Sequence, residues 1–259
     1  MIIKWCFVKH HFCYLGSMSP LPLFFLDAPL KEGVETWLSE DTAKHIVQVL
    51  RMQSGEQLQL TDGKGRSSLV TIEKAEKKKC SIIPQKVVMH PRKHPTLHMG
   101  IAFTKNSSRN EWLLEKITEL GVASITPLMA TRTERERIRY DRWTNILVSA
   151  LLQSQQYHLP KLNEAQSLKQ ILDNHGSAAQ LLIAHCITEV DRQPLAYALD
   201  RGNETLILIG PEGDFTKEEV QMCMDANFVG ISMGSTRLRT ETAAMTACAY
   251  FNMVNYESA

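Results

Sequence analysis

Two short loops in the last third of this 259-residue chain carry residue types suited to holding a ligand and stabilising charge. The first is Gly210-Pro211-Glu212-Gly213-Asp214-Phe215, two glycines around a proline with a carboxylate between them. Such a turn is tight and stiff, and its backbone can approach a ligand closely. Glycine loops are common, however, and this one alone is equally a plain strand-to-helix turn. The second loop is Gly234-Ser235-Thr236-Arg237-Leu238-Arg239-Thr240-Glu241-Thr242. Arg237 and Arg239 are the only arginines after Arg201 and lie in an acidic segment. Guanidinium groups isolated in a loop suit an anion or a nucleotide. The alternative is a pair of structural salt bridges to Glu212 or Glu241.

The elements around these loops put them at one end of a sheet. From residue 97 onward, apolar strand candidates at Leu97–Phe103, Ser124–Met129, Gln180–His185, Thr205–Gly210 and Phe228–Met233 alternate with helical segments. Arg109–Leu120 places Leu113, Leu114, Ile117 and Leu120 on one face at three- and four-residue spacing. Arg142–Gln156, Phe215–Ala226 and Glu241–Val254 read the same way, and Thr216 with Glu219 forms a capping box that starts the third helix. This alternation predicts an α/β fold with a mostly parallel sheet and helices on both faces. Ligands in such folds sit beyond the carboxyl ends of the strands, which is where both loops fall.

The N-terminal part has another grammar. Pro22–Leu26, Gln57–Thr61, Leu69–Glu73 and Cys80–Pro84 read as strands, with Asp62-Gly63 and Lys64-Gly65 as turns. One helix, Glu40 to Leu50, is capped by Ser39. The two prolines of His90–Pro95 mark a linker. The expected organisation is a leader at 1–17, a small β-rich domain at 18–90, a linker at 91–96 and the α/β domain at 97–259.

Residues 64 to 93 hold nine Lys or Arg against two Glu, while residues 200 to 259 hold nine acids against four bases. A basic N-terminal half can supply phosphate contacts, and a solvated hairpin face is the plainer alternative. Six scattered cysteines form no C-x-x-C pair, which indicates a reducing compartment without disulfides. The first seventeen residues are too interrupted by charge for a signal peptide or membrane span, so a cytoplasmic protein is expected. Met18 would then open the domain. His10, His11 and Cys13 have no second ligand cluster, and no metal is expected.

The pair IGPEGDF and SMGSTRLRTETAAM, about twenty residues apart, resembles the signature of the ribosomal RNA uridine-N3 methyltransferases (small subunit methyltransferase E family), typically GPEGGF and LG-x-R-I-L-R-x-E-T-A. Here Asp214 replaces a glycine, Met233 a leucine, and one extra residue, Ser235 or Thr236, precedes Arg237. Phe103-Thr104-Lys105, Arg109, Lys116 and Glu119-Leu120-Gly121-Val122 resemble a further family segment, as do Arg142-Trp143 and Gln153-Ser154. In the N-terminal part, His45, Val49-Leu50-Arg51, Gly55 and Asp62-Gly63 resemble the family's PUA-like β-barrel. The similarity spans most of the chain from Leu21 onward.

That resemblance implies the class whose C-terminus forms a trefoil knot (SPOUT), and S-adenosyl-L-methionine as cofactor. It implies methylation of N3 of a uridine in 16S rRNA, uridine 1498 in the usual numbering, in the assembled small (30S) subunit. It places the cofactor against Ile209, Gly210, Gly213, Met233, Gly234, Leu238 and Thr240. Methyl transfer from a sulfonium is an in-line displacement, so positioning supplies much of the rate. Deprotonated uridine N3 spreads charge onto O2 and O4, for which Arg239, then Arg237, is the stabilising group. Glu212 is the carboxylate expected to take the proton, ahead of Glu241. Arg51, the lysine run including Lys77 and Lys78, Lys105, Arg109 and Arg132 are the expected RNA contacts. A homodimer is implied as well, with Met245, Cys248, Phe251 and Val254 of the last helix as interface or core. The alternatives are a knotted enzyme acting on another rRNA or a tRNA nucleotide, and a non-catalytic RNA-binding relative. A dinucleotide enzyme is disfavoured, because no G-x-G-x-x-G follows an early strand.

Overall fold

The computed structural model describes residues 21–134, 137–174 and 178–256. The leader at 1–17, with His10, His11 and Cys13, lies outside the described residues. The N-terminal unit contains β1 (Leu23–Phe25), β2 (Thr36–Trp37), α1 (Glu40–Lys44), β3 (Gln57–Thr61), β4 (Arg66–Glu76) and β5 (Lys79–Met89). They form a five-stranded sheet in the order β1-β3-β4-β5-β2, with β1 parallel to β3 and the other pairs antiparallel. Alternate residues of β3 and β4, among them Leu58, Leu60, Val70 and Ile72, point into one apolar cluster closed by Ala43 and Ile46. Each such buried aliphatic side chain contributes about 1.5–3 kcal/mol.

The helix expected over Glu40–Leu50 is split. Ser39 caps it by accepting from Thr42 N–H, but after Lys44 the chain widens into a π-helical turn over His45–Val49, closed by Leu50 N–H donating to His45 O at 2.9 Å. β4 and β5 each run eleven residues, well beyond the expected spans, because they pair along their whole length through two register shifts.

The second unit contains β6 (Leu97–Ile101), α2 (Ser107–Glu119), β7 (Ser124–Met129), α3 (Tyr140–Gln153), β8 (Lys161–Leu162), β9 (Gln166–Ser167), α4 (Leu168–Asp173) and β10 (Gln180–Ala184). β11 (Gln193–Pro194), α5 (Leu195–Ala198), β12 (Thr205–Ile209), α6 (Lys217–Asp225), β13 (Val229–Ser232) and α7 (Thr240–Val254) complete it. The sheet order is β11-β13-β10-β12-β6-β7-β8, with β9 also on β7, and every pairing is parallel. Alternation sends Ile207 and Ile209 to one face, under α2, α3 and α7. Leu206 and Leu208 go to the other, under α4 and α6. The mostly parallel sheet with helices on both faces is therefore present.

The two units are fastened together. Gly65 N–H donates to Tyr157 O and Leu159 N–H donates to Gly63 O, both at 2.8 Å. His90 stacks on Tyr157 with ring centroids 3.8 Å apart, and a ring nitrogen of His158 lies 2.8 Å from His90 O. Among the described residues no helix is long and apolar enough to cross a membrane, and no cluster of His, Cys, Asp or Glu could hold a metal.

Candidate active site

β10 lies between β13 and β12, so the carboxyl ends of three neighbouring parallel strands open into one crevice. The loops that leave them line a cavity of about 1110 Å³. Ile209, Gly210, Gly213, Met233, Gly234, Leu238 and Thr240 all lie on its wall, as do Glu212, Arg237 and Arg239. The two loops are joined directly, Thr240 donating its hydroxyl to Gly210 O at 3.0 Å. A Cβ on Gly210 would stand 2.9 Å from the Phe215 ring, which is why that loop opens on glycine.

Asp214 stands where the family pattern has its second glycine, and its φ of +62° accounts for that glycine. Aspartate tolerates this conformation through local hydrogen bonds. Its Oδ1 accepts from Phe215 N–H at 2.9 Å and its Oδ2 from Cys186 N–H at 2.8 Å. The substitution thus ties the loop after β12 to the loop after β10. At the other loop, Gly234 to Arg237 are exposed while Leu238 is half-buried and Thr240 buried. The extra residue expected before Arg237 is not there: Met233–Ala243 has the same length as the family pattern, with Thr236 in the place of its first arginine, Arg237 in that of its isoleucine and Arg239 in that of its second arginine.

The salt bridges weighed for the arginine pair are absent among the described residues. Glu212 and Glu241 instead face Arg109, whose Nη1 lies 3.2 Å from Glu212 Oε1 and whose Nε lies 3.6 Å from Glu241 Oε1. Arg237 and Arg239 are exposed on the cavity wall. Glu241 is buried within the first turn of α7, and its Oε2 has no hydrogen-bond partner among the described residues.

The residues expected to hold RNA divide into two groups. Arg109 and Arg132 line the cavity, and Arg132 Nη1 donates to Gly213 O at 2.7 Å, bracing the loop. Arg51, Lys77, Lys78 and Lys105 do not line it. Lys78 pairs with Glu40 at 3.6 Å, Lys74 with Glu35 at 3.3 Å and Lys105 with Glu134 at 3.3 Å, so the lysine run is partly neutralised. The sequence reading missed the third wall, His185 to Glu189 with Arg192. The available signal was the strand Gln180–His185, whose carboxyl end belongs with the others in a parallel sheet. In α7, Cys248 and Phe251 are buried in the core and Val254 packs against it, while Tyr250, Met253 and, just past the helix end, Tyr256 are exposed.

The comparisons agree with this architecture. The RNA methyltransferase domain matches residues 91–252, and the RNA methyltransferase PUA domain matches residues 38–85. The ribosomal RNA small subunit methyltransferase E of Bacillus subtilis (strain 168) is 26% identical over 229 residues, covering 84% of this chain and 90% of its own. The crystal structure of a probable rRNA-methyltransferase from Porphyromonas gingivalis superposes with a TM-score of 0.85 at 35% identity, over 91% of this chain and 98% of that one. That of a ribosomal RNA small subunit methyltransferase E from Neisseria gonorrhoeae, bound to S-adenosyl methionine, gives 0.80 at 26% identity, again over 91% and 98%. With one domain match running through most of the α/β unit and relatives aligned nearly end to end, this chain belongs to the ribosomal RNA small subunit methyltransferase E family.

Proposed function

We propose that this chain methylates N3 of a uridine in 16S rRNA, uridine 1498, in the assembled small subunit, with S-adenosyl-L-methionine as donor. The observation that carries the reading is one cavity lined by an arginine pair that has no acidic partner among the described residues, a carboxylate and two glycine-containing loops. The cavity suits the cofactor. Ile209, Ile231, Met233 and Leu238 offer apolar surface for an adenine, and the Gly210, Gly213 and Gly234 backbones offer hydrogen-bonding groups beside it. Its volume exceeds what a small ligand alone needs, leaving room for a target base. When bound there, the cofactor supplies an electrophilic methyl group on a sulfonium.

This chain's residues do the rest. Glu212 accepts the N3 proton, directly or through a water. Arg239, with Arg237 beside it, stabilises the charge that develops on the uridine carbonyl oxygens. Thr240 and Gly210 hold the two loops in register. Arg51, Lys77, Lys78 and Lys105 contact phosphates from outside the cavity, and the target base enters unstacked. The reading includes a cytoplasmic homodimer and the C-terminal knot, both of which rest on the family similarity.

The test uses small subunits from a strain lacking this activity, purified protein and labelled S-adenosyl-L-methionine. N3-methyluridine at position 1498 is expected; its absence from mapped RNA removes the substrate assignment. Calorimetry with S-adenosylhomocysteine tests the cofactor separately, and no binding removes that assignment. Arg239→Ala should slow turnover about 10²-fold with cofactor affinity largely kept, whereas unchanged turnover takes it out of the mechanism.

A further inference from the structure

Arg109 sits in the first turn of α2, where the helix field favours acidic side chains, yet that turn carries no acid and holds a guanidinium instead. Its backbone is pinned. Arg109 N–H donates to Asn106 Oδ1 at 3.1 Å, and the buried Asn110 beside it donates to Thr104 O at 2.8 Å. From this fixed base the side chain reaches the cavity and meets two carboxylates with two different donors. Nη1 addresses Glu212 at 3.2 Å and Nε faces Glu241 at 3.6 Å. Glu241 is anchored in α7, whereas Glu212 stands half-exposed on a loop.

We propose that Glu241 orients Arg109 and that Arg109 in turn holds the Glu212 carboxylate toward the cavity, as a positioning residue for proton removal. The proposal rests on the reading of Glu212 as proton acceptor. It deepens that reading by giving the base the third group that orients such residues in other catalytic constellations. The planar fork is essential to the arrangement. A lysine offers one point charge and cannot address both carboxylates in fixed directions. Arg109 touches neither substrate nor cofactor in this scheme; it acts through Glu212.

The experiment is steady-state methylation of small subunits, with S-adenosylhomocysteine affinity and thermal melting measured on the same variants. Arg109→Ala is expected to lower kcat about 10²-fold, the penalty typical of a misplaced catalytic group. Cofactor KM and S-adenosylhomocysteine affinity should stay within about threefold, because the lost interaction lies outside cofactor binding. Arg109→Lys should recover little of the loss. The double variant Arg109→Ala/Glu212→Gln should be no slower than Glu212→Gln alone, since two residues acting as a unit are not additive. Parental kcat in Arg109→Ala, or losses that multiply in the double variant, overturns the proposal. If Arg109→Ala melts below the assay temperature, Arg109→Lys and Glu241→Gln take its place. Both should show reduced kcat at unchanged cofactor KM, and parental kcat in both overturns the proposal. The two readings fail differently: Glu212→Gln at parental turnover removes the base itself, while a slow Glu212→Gln beside a normal Arg109→Ala removes only the role of Arg109.

Discussion

His185 is only 4% exposed, and neither ring nitrogen has a hydrogen-bond partner among the described residues. Burial, and then the nearby Arg192 charge, lowers its pKa below the usual imidazole value, against an opposing pull from Asp214. The folded state therefore favours the neutral ring. A depressed folded pKa means that this site costs nothing above the unfolded pKa of about 6.5, and the destabilisation builds as pH falls from there to the folded value. Stability should drop below about pH 6.5, with a slope of at most about 1.4 kcal/mol per pH unit from this one proton. His185→Leu should flatten that acid limb in melts taken from pH 8 to pH 5; an unchanged limb places the titration elsewhere. Asp214 makes a second residue-level point. A residue that departs from the family pattern explains the pattern, because its positive φ shows what the glycine was for, while its bond to Cys186 is one that only the aspartate can make.

At the level of elements, the turn between β3 and β4 makes a close contact between the two units. A Cβ on Gly65, whose φ is +89°, would stand 2.4 Å from His158 Cε1 and 2.8 Å from His90 O. Gly65→Ala should cost about 2–4 kcal/mol in chemical denaturation, the sum of backbone strain and overpacking. A loss under about 0.5 kcal/mol would show that the joint yields easily. Asp62-Gly63 and Lys64-Gly65 were legible in the sequence as a turn, but their partner segment, 93 residues further on at His158, was not. The same division runs through the rest of the fold. Long apolar strands and amphipathic helices were readable from periodicity, and β3 and β7 match their expected spans. β8, β9 and β11 have two residues each and owe their existence to a neighbouring edge, which no local pattern records. In the site, both loops were visible as motifs. The pairing of Arg109 with Glu212 was not, because it spans 103 residues and belongs to the tertiary arrangement of α2 against β12.

For the whole molecule, α7 turns its small and apolar face inward and leaves Tyr250 and Met253 outward, with Tyr256 just beyond its end. Met253 is 74% exposed and Tyr256 73%. In the proposed dimer, Met253→Asp should weaken self-association by about 1–3 kcal/mol in sedimentation equilibrium, with melting behaviour retained. A parental dimer would place the interface on another face. The fastening of the small β-sheet unit to the α/β unit has a larger meaning under the proposed function. Stacked rings and paired backbone leave the lysine-bearing hairpin and the reaction cavity at one set separation. Such a chain behaves as a calliper with locked jaws: it recognises RNA whose grip point and target nucleotide are already spaced to match. Unfolded rRNA offers the same nucleotides at every spacing and satisfies the gauge only in passing. A rigid seam between the two units would thereby make chemistry conditional on ribosome architecture.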